Sequence, residues 1–167
     1  MKKLDKNYYY KKKLQILEKA KKIVQTIGWT EKVFLKLTDN DINKSDLFFL
    51  FPSGYKDLLY FSIEEINHEL ETNLKKTNII NLPVNKRIKK ILLERINILD
   101  KDKIFYKKTF YHLILPQNSK FMKKSLYKSV DIMWYLAGDN STDFNFYTKR
   151  IILAGIYVNA LFIFFNK

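Results

Sequence analysis

Residues 138–157, GDNSTDFNFYTKRIILAGIY, decide the fold because they join a polar loop to a long apolar helix. Gly138 stands where the end of a helix favours a left-handed residue, so a preceding helix is expected to close there. The hydroxyl and carboxylate side chains at 141–143 can cap the N-terminus of the next helix. We therefore predict a final helix over about residues 145–165, preceded by a polar loop and another helix.

In the rest of the chain, apolar residues recur every three or four positions, which is the period of an α-helix. The chain has only 4 Gly and 3 Pro, a scarcity that favours long helices over a many-turned β protein. No stretch has a convincing strand pattern, so the predicted fold class is all-α. The predicted helices cover about residues 7–27, 31–37, 46–50, 55–74, 83–98, 101–115, 118–137 and 145–165.

The N-terminal part has one long predicted helix followed by two short ones, which is the outline of a helix-turn-helix. We expect residues 1–54 to form this N-terminal unit and residues 55–167 to form a larger helical body, in one continuous globular chain. The helix that would enter the DNA major groove, at 45–50, is short, acidic at its start and largely apolar. It lacks the Arg, Asn and Gln side chains that read base edges, so sequence-specific binding of nucleic acid is not expected.

The net charge of +14 at pH 7 suits an anionic partner, such as nucleic acid, an anionic membrane or an acidic protein. The abundant Lys, Asn, Ile, Tyr and Phe are also the residues that an A+T-rich genome encodes often, so many lysines can be an ordinary solvated surface. The start, MKKLDKNYYYKKK, has no apolar segment behind its lysines and is not expected to be a secretory signal. The expected location is the bacterial cytoplasm, with peripheral contact at the inner face of the membrane kept open.

No residue pattern for catalysis or metal binding stands out. The chain has no cysteine and two histidines, His68 and His112, which excludes thiolate chemistry and a His-rich metal site. Glu65 and His68 have the Glu-x-x-His spacing of di-iron carboxylate proteins, but that pattern needs a second copy and further glutamates. We interpret the pair as part of a solvated helix face. The sequence therefore predicts no catalytic residue, no metal and no cofactor, and a protein that is not an enzyme.

The last predicted helix is unusually apolar. Residues 151–165 contain few polar side chains and span roughly 22 Å at the helical rise. A membrane-spanning helix needs about 20 residues, so this run is short for a span. A helix that is apolar on all sides is buried on more than one side. We favour a homodimer interface and keep two alternatives, contact with a membrane surface and a fully internal core position.

The run at 138–157 closely resembles the signature of a family of coenzyme Q (ubiquinone) biosynthesis accessory proteins, the one numbered nine, which has a TetR-like fold. Three shorter stretches, GWT at 28–30, FPSG at 51–54 and DIMWYLA at 131–137, resemble further motifs of that family in the same order. The resemblance therefore spans most of the chain. It implies a TetR-like fold, with an N-terminal helix-turn-helix-like three-helix unit and a C-terminal helical ligand-binding body, and usually a dimer.

The function that the resemblance implies is that of a lipid-binding accessory protein of ubiquinone biosynthesis. Such a protein binds an isoprenoid quinone intermediate or a phospholipid and presents the quinone to a di-iron demethoxyubiquinone hydroxylase. The alternative function, from the helix-turn-helix outline, is a TetR-type DNA-binding transcriptional regulator. Eukaryotic members of the family carry a further amphipathic helix that engages membranes. This sequence ends at Lys167, just after the apolar helix, so we expect any membrane contact to use another surface.

The resemblance also implies site residues. The family's signature run is its proposed docking surface for the hydroxylase, and the matching positions here are Asp139, Ser141, Thr142, Asp143, Asn145, Phe146, Tyr147, Lys149 and Arg150. Phe146 stands where the family usually has Trp, which removes an indole N–H donor. Apolar pockets with a few polar groups are the usual ligand sites. The candidate lining residues of a lipid pocket are three aromatic side chains, Trp134, Phe110 and Tyr157.

Overall fold

The structure is a computed structural model that describes residues 2–40, 42–142 and 144–167, with side chains from residue 6 onward. In these ranges the chain forms eight α-helices, one short 3-10 helix at Pro116–Asn118 and no strand, which confirms the all-α prediction. The helices are α1 Lys2–Ile27, α2 Lys32–Asp39, α3 Lys44–Leu50, α4 Tyr55–Lys75, α5 Val84–Asp100, α6 Lys103–Leu113, α7 Ser119–Leu136 and α8 Phe144–Asn166.

Local sequence explains several helix boundaries. The side-chain oxygen of Asn43 accepts a hydrogen bond from the Ser45 backbone N–H at 2.8 Å, which caps the start of α3. Pro83 directly precedes α5, where its missing N–H has no cost. Helix α6 ends at Leu113, earlier than predicted, because a residue that precedes proline disfavours the helical conformation and Pro116 follows closely.

A first compact unit consists of the residues up to Ser62 together with Ile104–His112. Its core is built around Trp29, which is buried and lies against the rings of Tyr55 and Phe105. The Trp29 indole N–H donates to the hydroxyl of Thr109 at 2.9 Å, so α6 is tied to the segment between α1 and α2. This bond satisfies a polar group that would otherwise be costly to bury.

A second compact unit consists of Ile63–Lys103 and Leu113–Lys167. It contains the later part of α4 together with α5, α7 and α8. Its largest buried apolar side chains come from all four helices and include Leu70, Ile91, Ile98, Met133 and Leu153. Burial of such side chains stabilises each by about 1.5–3 kcal/mol relative to exposure, so apolar packing holds this unit together. The TetR-like arrangement and the division after residue 54 remain predictions.

Helix α8 is buried along only one face. Leu153, Tyr157 and Leu161 are buried, whereas the opposite face is exposed and carries four isoleucines, Ile151, Ile152, Ile156 and Ile163. A fully internal core position therefore does not describe α8 in the single chain. The whole helix has 23 residues and is long and apolar enough to cross a membrane by length and composition alone, which is weak evidence for a span. The run at residues 151–165 is short for a membrane span, but α8 as a whole is long enough, so its length does not exclude a membrane-spanning helix.

Candidate functional site

The loop between α7 and α8 begins with a tightly specified helix ending. Gly138 has a φ of +81°, and its N–H donates to the Tyr135 carbonyl at 2.9 Å. The next N–H, of Asp139, donates to the Trp134 carbonyl at 3.0 Å. These two bonds form a Schellman motif, which needs a residue that tolerates the left-handed conformation. A Cβ at position 138 would also lie 3.2 Å from Nη1 of Arg87, so glycine is favoured there on two grounds.

The carboxylate of Asp139 is the centre of the loop. Its side chain is only 5% exposed. It accepts hydrogen bonds from Nζ of Lys149 at 2.8 Å, from the Ser141 hydroxyl at 2.9 Å and from Nη1 of Arg150 at 3.3 Å. Two cations on the first two turns of α8 thus hold Asp139, which follows the Ala137–Gly138 end of α7. Such charge-assisted bonds are stronger than neutral ones, and they fix the loop to α8.

These contacts determine the protonation of Asp139. Burial, the largest single influence, raises the pKa of the carboxyl group. The hydrogen bonds from Lys149, Ser141 and Arg150, with the charge of Lys149, act in the opposite direction and together outweigh burial. The result is a pKa lowered from 3.8 to about 2. Asp139 therefore stays ionised, and its negative charge is matched within the loop.

Arg150 connects α7, the loop and the first turn of α8. Its Nε donates to the carboxylate of Asp131 on α7 at 2.7 Å, and its Nη1 donates to the Phe146 carbonyl at 3.0 Å. Its guanidinium carbon lies 3.3 Å from the centroid of the Phe146 ring, a stacked arrangement. With a side chain that is 6% exposed, Arg150 orders the loop from inside.

Comparisons with known proteins point to one family. The family model described as COQ9 matches residues 120–167, which include most of α7, the loop and α8. The bovine protein named ubiquinone biosynthesis protein COQ9, mitochondrial, is 31% identical over 163 residues, which cover 92% of this chain and 51% of that protein.

Over most of its length the chain is similar to proteins of the COQ9 family.

Other relatives show the same similarity. The rat protein of the same name is 30% identical over 150 residues, 86% of this chain and 48% of that protein. The human protein is 53% identical over a stretch of 45 residues, 27% of this chain and 14% of that protein. The COQ9 homologue described here therefore spans about half the length of the curated relatives it matches.

The structure divides the predicted docking residues of this COQ9 homologue into two groups. Asp139 and Arg150 are largely buried in the ion network, and Ser141 and Lys149 bind to it from part-buried positions. The exposed group consists of Thr142, Asn145 and Tyr147, with the ring of Phe146 half-buried between the two groups. Asp143, also predicted as a docking residue, lies outside the described residues.

The sequence did not identify Phe144 as a candidate docking residue. Phe144 is 82% exposed and stands at the first position of α8, beside Tyr147, which is 61% exposed. We call Phe144, Asn145 and Tyr147 the aromatic rim. The only signal in the sequence was the alternation of Phe and polar residues in DFNFY, which does not tell an exposed ring from a buried one.

The three candidate lipid residues lie in different surroundings. The Trp134 indole N–H donates to the Lys149 carbonyl at 3.1 Å, which places Trp134 beside the loop of the second unit. Tyr157 is buried in the same unit, and its hydroxyl accepts from Nε of Arg95 at 2.7 Å. Phe110 is buried in the first unit, next to Tyr111. The structure therefore gives each residue a packing role, and their contact with lipid remains a prediction.

Proposed function

We propose that this COQ9 homologue is a non-catalytic accessory protein of ubiquinone biosynthesis that presents isoprenoid quinone intermediates to a demethoxyubiquinone hydroxylase. The observation that carries the proposal is the aromatic rim, which lies on the first turn of α8 inside the segment that the COQ9 family model matches. Its first and last members, Phe144 and Tyr147, are too exposed to serve the core of the single chain. Exposed aromatics on an ordered support are typical of protein-binding hot spots.

The buried ion network supports a binding role because it orders the rim in advance. Lys149 and Arg150 reach back to Asp139, so the first two turns of α8 are fixed against the end of α7. A partner that binds a preordered surface loses less conformational entropy than one that binds a mobile loop. In this proposal Asp139 and Arg150 position the rim, and Tyr147 and Phe144 contact the hydroxylase.

The lipid part of the proposal rests on the apolar character of the second unit. A quinone with an isoprenoid tail is poorly soluble, and apolar burial stabilises it by roughly 25 cal/mol per Å². The exposed isoleucines of α8 provide an apolar face that a second copy of the chain or a membrane surface can cover. We propose a TetR-like homodimer at the inner face of the bacterial membrane, where a net charge of +14 favours anionic lipids.

The DNA-binding alternative has no support from α3. Asp46, at the start of that helix, pairs with Lys12 at 2.5 Å. The large exposed side chains of α3 are Phe48 and Phe49, which offer no hydrogen bond to a base edge. We therefore retain the accessory function as the single proposal.

The rim is tested by Phe144→Ala and Tyr147→Ala, with Tyr127→Ala as the matched control. Tyr127 is an exposed tyrosine on α7, in the same unit but outside the rim. Each rim variant should weaken binding to the purified hydroxylase at least roughly tenfold, since aromatic hot spots contribute 2 kcal/mol or more. Cells that carry a rim variant should accumulate demethoxyubiquinone, and cells with the control should not. Normal quinone levels with both folded rim variants would refute the docking role.

A further inference from the structure

Arg95 lies in the interior of the second unit with neutral partners. It is 1% exposed. Its Nε donates to the Tyr157 hydroxyl, its Nη1 to Oδ1 of Asn67 and its Nη2 to the Ser129 hydroxyl, each at 2.7 Å. Four helices, α4, α5, α7 and α8, thus contribute one side chain each. We call these four residues together with Ser125 the Arg95 cluster.

The charge of Arg95 has no counter-ion among the residues that the structure describes. A guanidinium group stays protonated in proteins, so it cannot escape burial by losing a proton. Charges removed from water are normally paired, because the desolvation penalty is several kcal/mol per ion. The ring of Tyr157, 5.2 Å from the guanidinium carbon, offsets part of this cost but supplies no negative charge.

The Arg95 cluster also has more donors than acceptors. A guanidinium carries five N–H groups, and Arg95 gives one hydrogen bond from each of its three nitrogens, so the second N–H of each Nη has no acceptor in the described chain. The Nδ2 amide of Asn67 and the hydroxyl of Ser125 are buried without a hydrogen-bond partner. Ser125 and Ser129 are four residues apart on α7, so they share a face. The unpaired N–H groups of Arg95 and Asn67 require acceptors, and the Ser125 hydroxyl can donate to one as well.

We propose that the Arg95 cluster is an internal binding site for a phosphate group, either free or as the headgroup of a lipid. A phosphate carries negative charge and acceptor oxygens only, which matches an unpaired guanidinium fork with amide and hydroxyl donors beside it. The site is separate from the loop between α7 and α8. It is also independent of the quinone proposal, because the cluster can hold a phosphate whether or not the rim binds a hydroxylase.

Two substitutions test the cluster in complementary ways. Arg95→Met removes the charge and keeps much of the volume. Asn67→Asp changes the buried amide, which contacts Arg95, into a carboxylate of the same shape, and so supplies an internal counter-ion that repels a phosphate. Lys128→Met is the control, since it removes one positive charge from the same unit at a site on α7 that pairs with Glu64 at the surface. Circular dichroism and thermal melts establish that each variant is folded.

The measurement is native mass spectrometry of freshly purified protein and of protein refolded with inorganic phosphate. Because Arg95 is buried, uptake is expected while the unit folds, and the ligand should then copurify. The wild type and Lys128→Met should carry one phosphate-bearing molecule, and both cluster variants should lose it, with occupancy reduced at least roughly tenfold. A bound phospholipid identifies a lipid headgroup as the source, whereas phosphate bound only after refolding identifies the free ion.

Two results would overturn the proposal. One is the absence of any bound phosphate in wild-type protein from both preparations. The unpaired donors of the cluster would then bind buried water instead of phosphate. The other is equal occupancy in the wild type and the two cluster variants, which would place the ligand elsewhere. Asn67→Asp keeps the proposal testable if Arg95→Met fails to fold, because it completes an ion pair instead of removing one.

Discussion

Asp139 is the residue whose charge does most to fix the loop between α7 and α8. Its pKa of about 2 lies below the ordinary value of 3.8, so ionised Asp139 stabilises the folded state. That stabilisation is fully present above the unfolded-state pKa of 3.8 and is lost as the pH falls towards 2. We expect Asp139→Asn to lower the free energy of unfolding at pH 7 by about 2 kcal/mol. Urea unfolding from pH 7 down to pH 2 should show the difference between the two proteins shrinking below about pH 4.

Asp131→Asn is the control for Asp139. Asp131 also pairs with Arg150, but its side chain is 42% exposed, and exposed ion pairs contribute about 0–1 kcal/mol. This variant should therefore lose less stability at pH 7 and keep the decline below pH 4. A pH profile of Asp139→Asn that runs parallel to that of the wild type would contradict the assigned role of Asp139.

The hydrogen bond between Trp29 and Thr109 gives a second prediction for single residues. Thr109→Val removes the acceptor at nearly constant volume and leaves the buried indole N–H without a partner. We expect the free energy of unfolding to fall by about 1–3 kcal/mol, measured by urea denaturation followed by tryptophan fluorescence. Thr72→Val is the control, because the Thr72 hydroxyl lies on an exposed helix face and bonds only to the His68 carbonyl. Equal losses for the two variants would show that the buried bond has no special weight.

The sequence could predict which residues form the loop but not which of them are exposed. The signature run from Asp139 to Arg150 identified the site as one surface, yet its two ends are buried. Burial of Arg150 depends on Asp131, one helix earlier, and on a ring stacked beneath its guanidinium. Such partners are fixed by packing between helices, and helical periodicity within a single segment carries no information about them.

At the level of elements, the end of α7 depends on the conformation of Gly138. Gly138→Ala forces a left-handed φ on an alanine, which costs about 1–2 kcal/mol, and its Cβ meets Arg87 at 3.2 Å. Gly155→Ala in α8 is the control with the opposite sign. Its added Cβ meets nothing within 4 Å, and alanine is favoured over glycine inside a helix by about 0.5–1 kcal/mol. Thermal melts should show the first variant less stable than the wild type and the second more stable, and equal shifts would refute this account.

The helices themselves were predictable because each is an amphipathic or capped segment that its own residues specify. The predicted boundaries of α4 and α8 lie within one residue of the observed ones, Tyr55–Lys75 and Phe144–Asn166. Helix α1 begins earlier than predicted, at Lys2, since the lysine-rich start has no apolar stripe to reveal a helix. The Arg95 cluster was not predicted at all. Its residues come from four helices and lie far apart in the sequence, from Asn67 to Tyr157, so no local pattern marks them.

For the whole molecule, we propose that the exposed face of α8 mediates association of the chain. Ile152 and Ile156 lie one turn apart on that face. We expect the double variant Ile152→Glu with Ile156→Glu to convert the proposed homodimer into a monomer, because a charge buried in an interface without a partner costs several kcal/mol. Sedimentation velocity at matched concentrations measures the change. Leu93→Glu with Tyr127→Glu is the control, since it adds the same charge at exposed positions on α5 and α7.

The same variants separate a dimer interface from a membrane contact, since each site buries the isoleucines against a different apolar phase. A dimer interface predicts loss of the dimer, with binding to anionic vesicles retained through the net charge of +14. A membrane contact predicts the reverse. The wild type should bind vesicles even at high salt, because apolar insertion is not screened by ions, and the double variant should lose this salt-resistant binding. If the double variant keeps both its association and its vesicle binding, the exposed isoleucines serve neither purpose and the proposed dimer must use another surface.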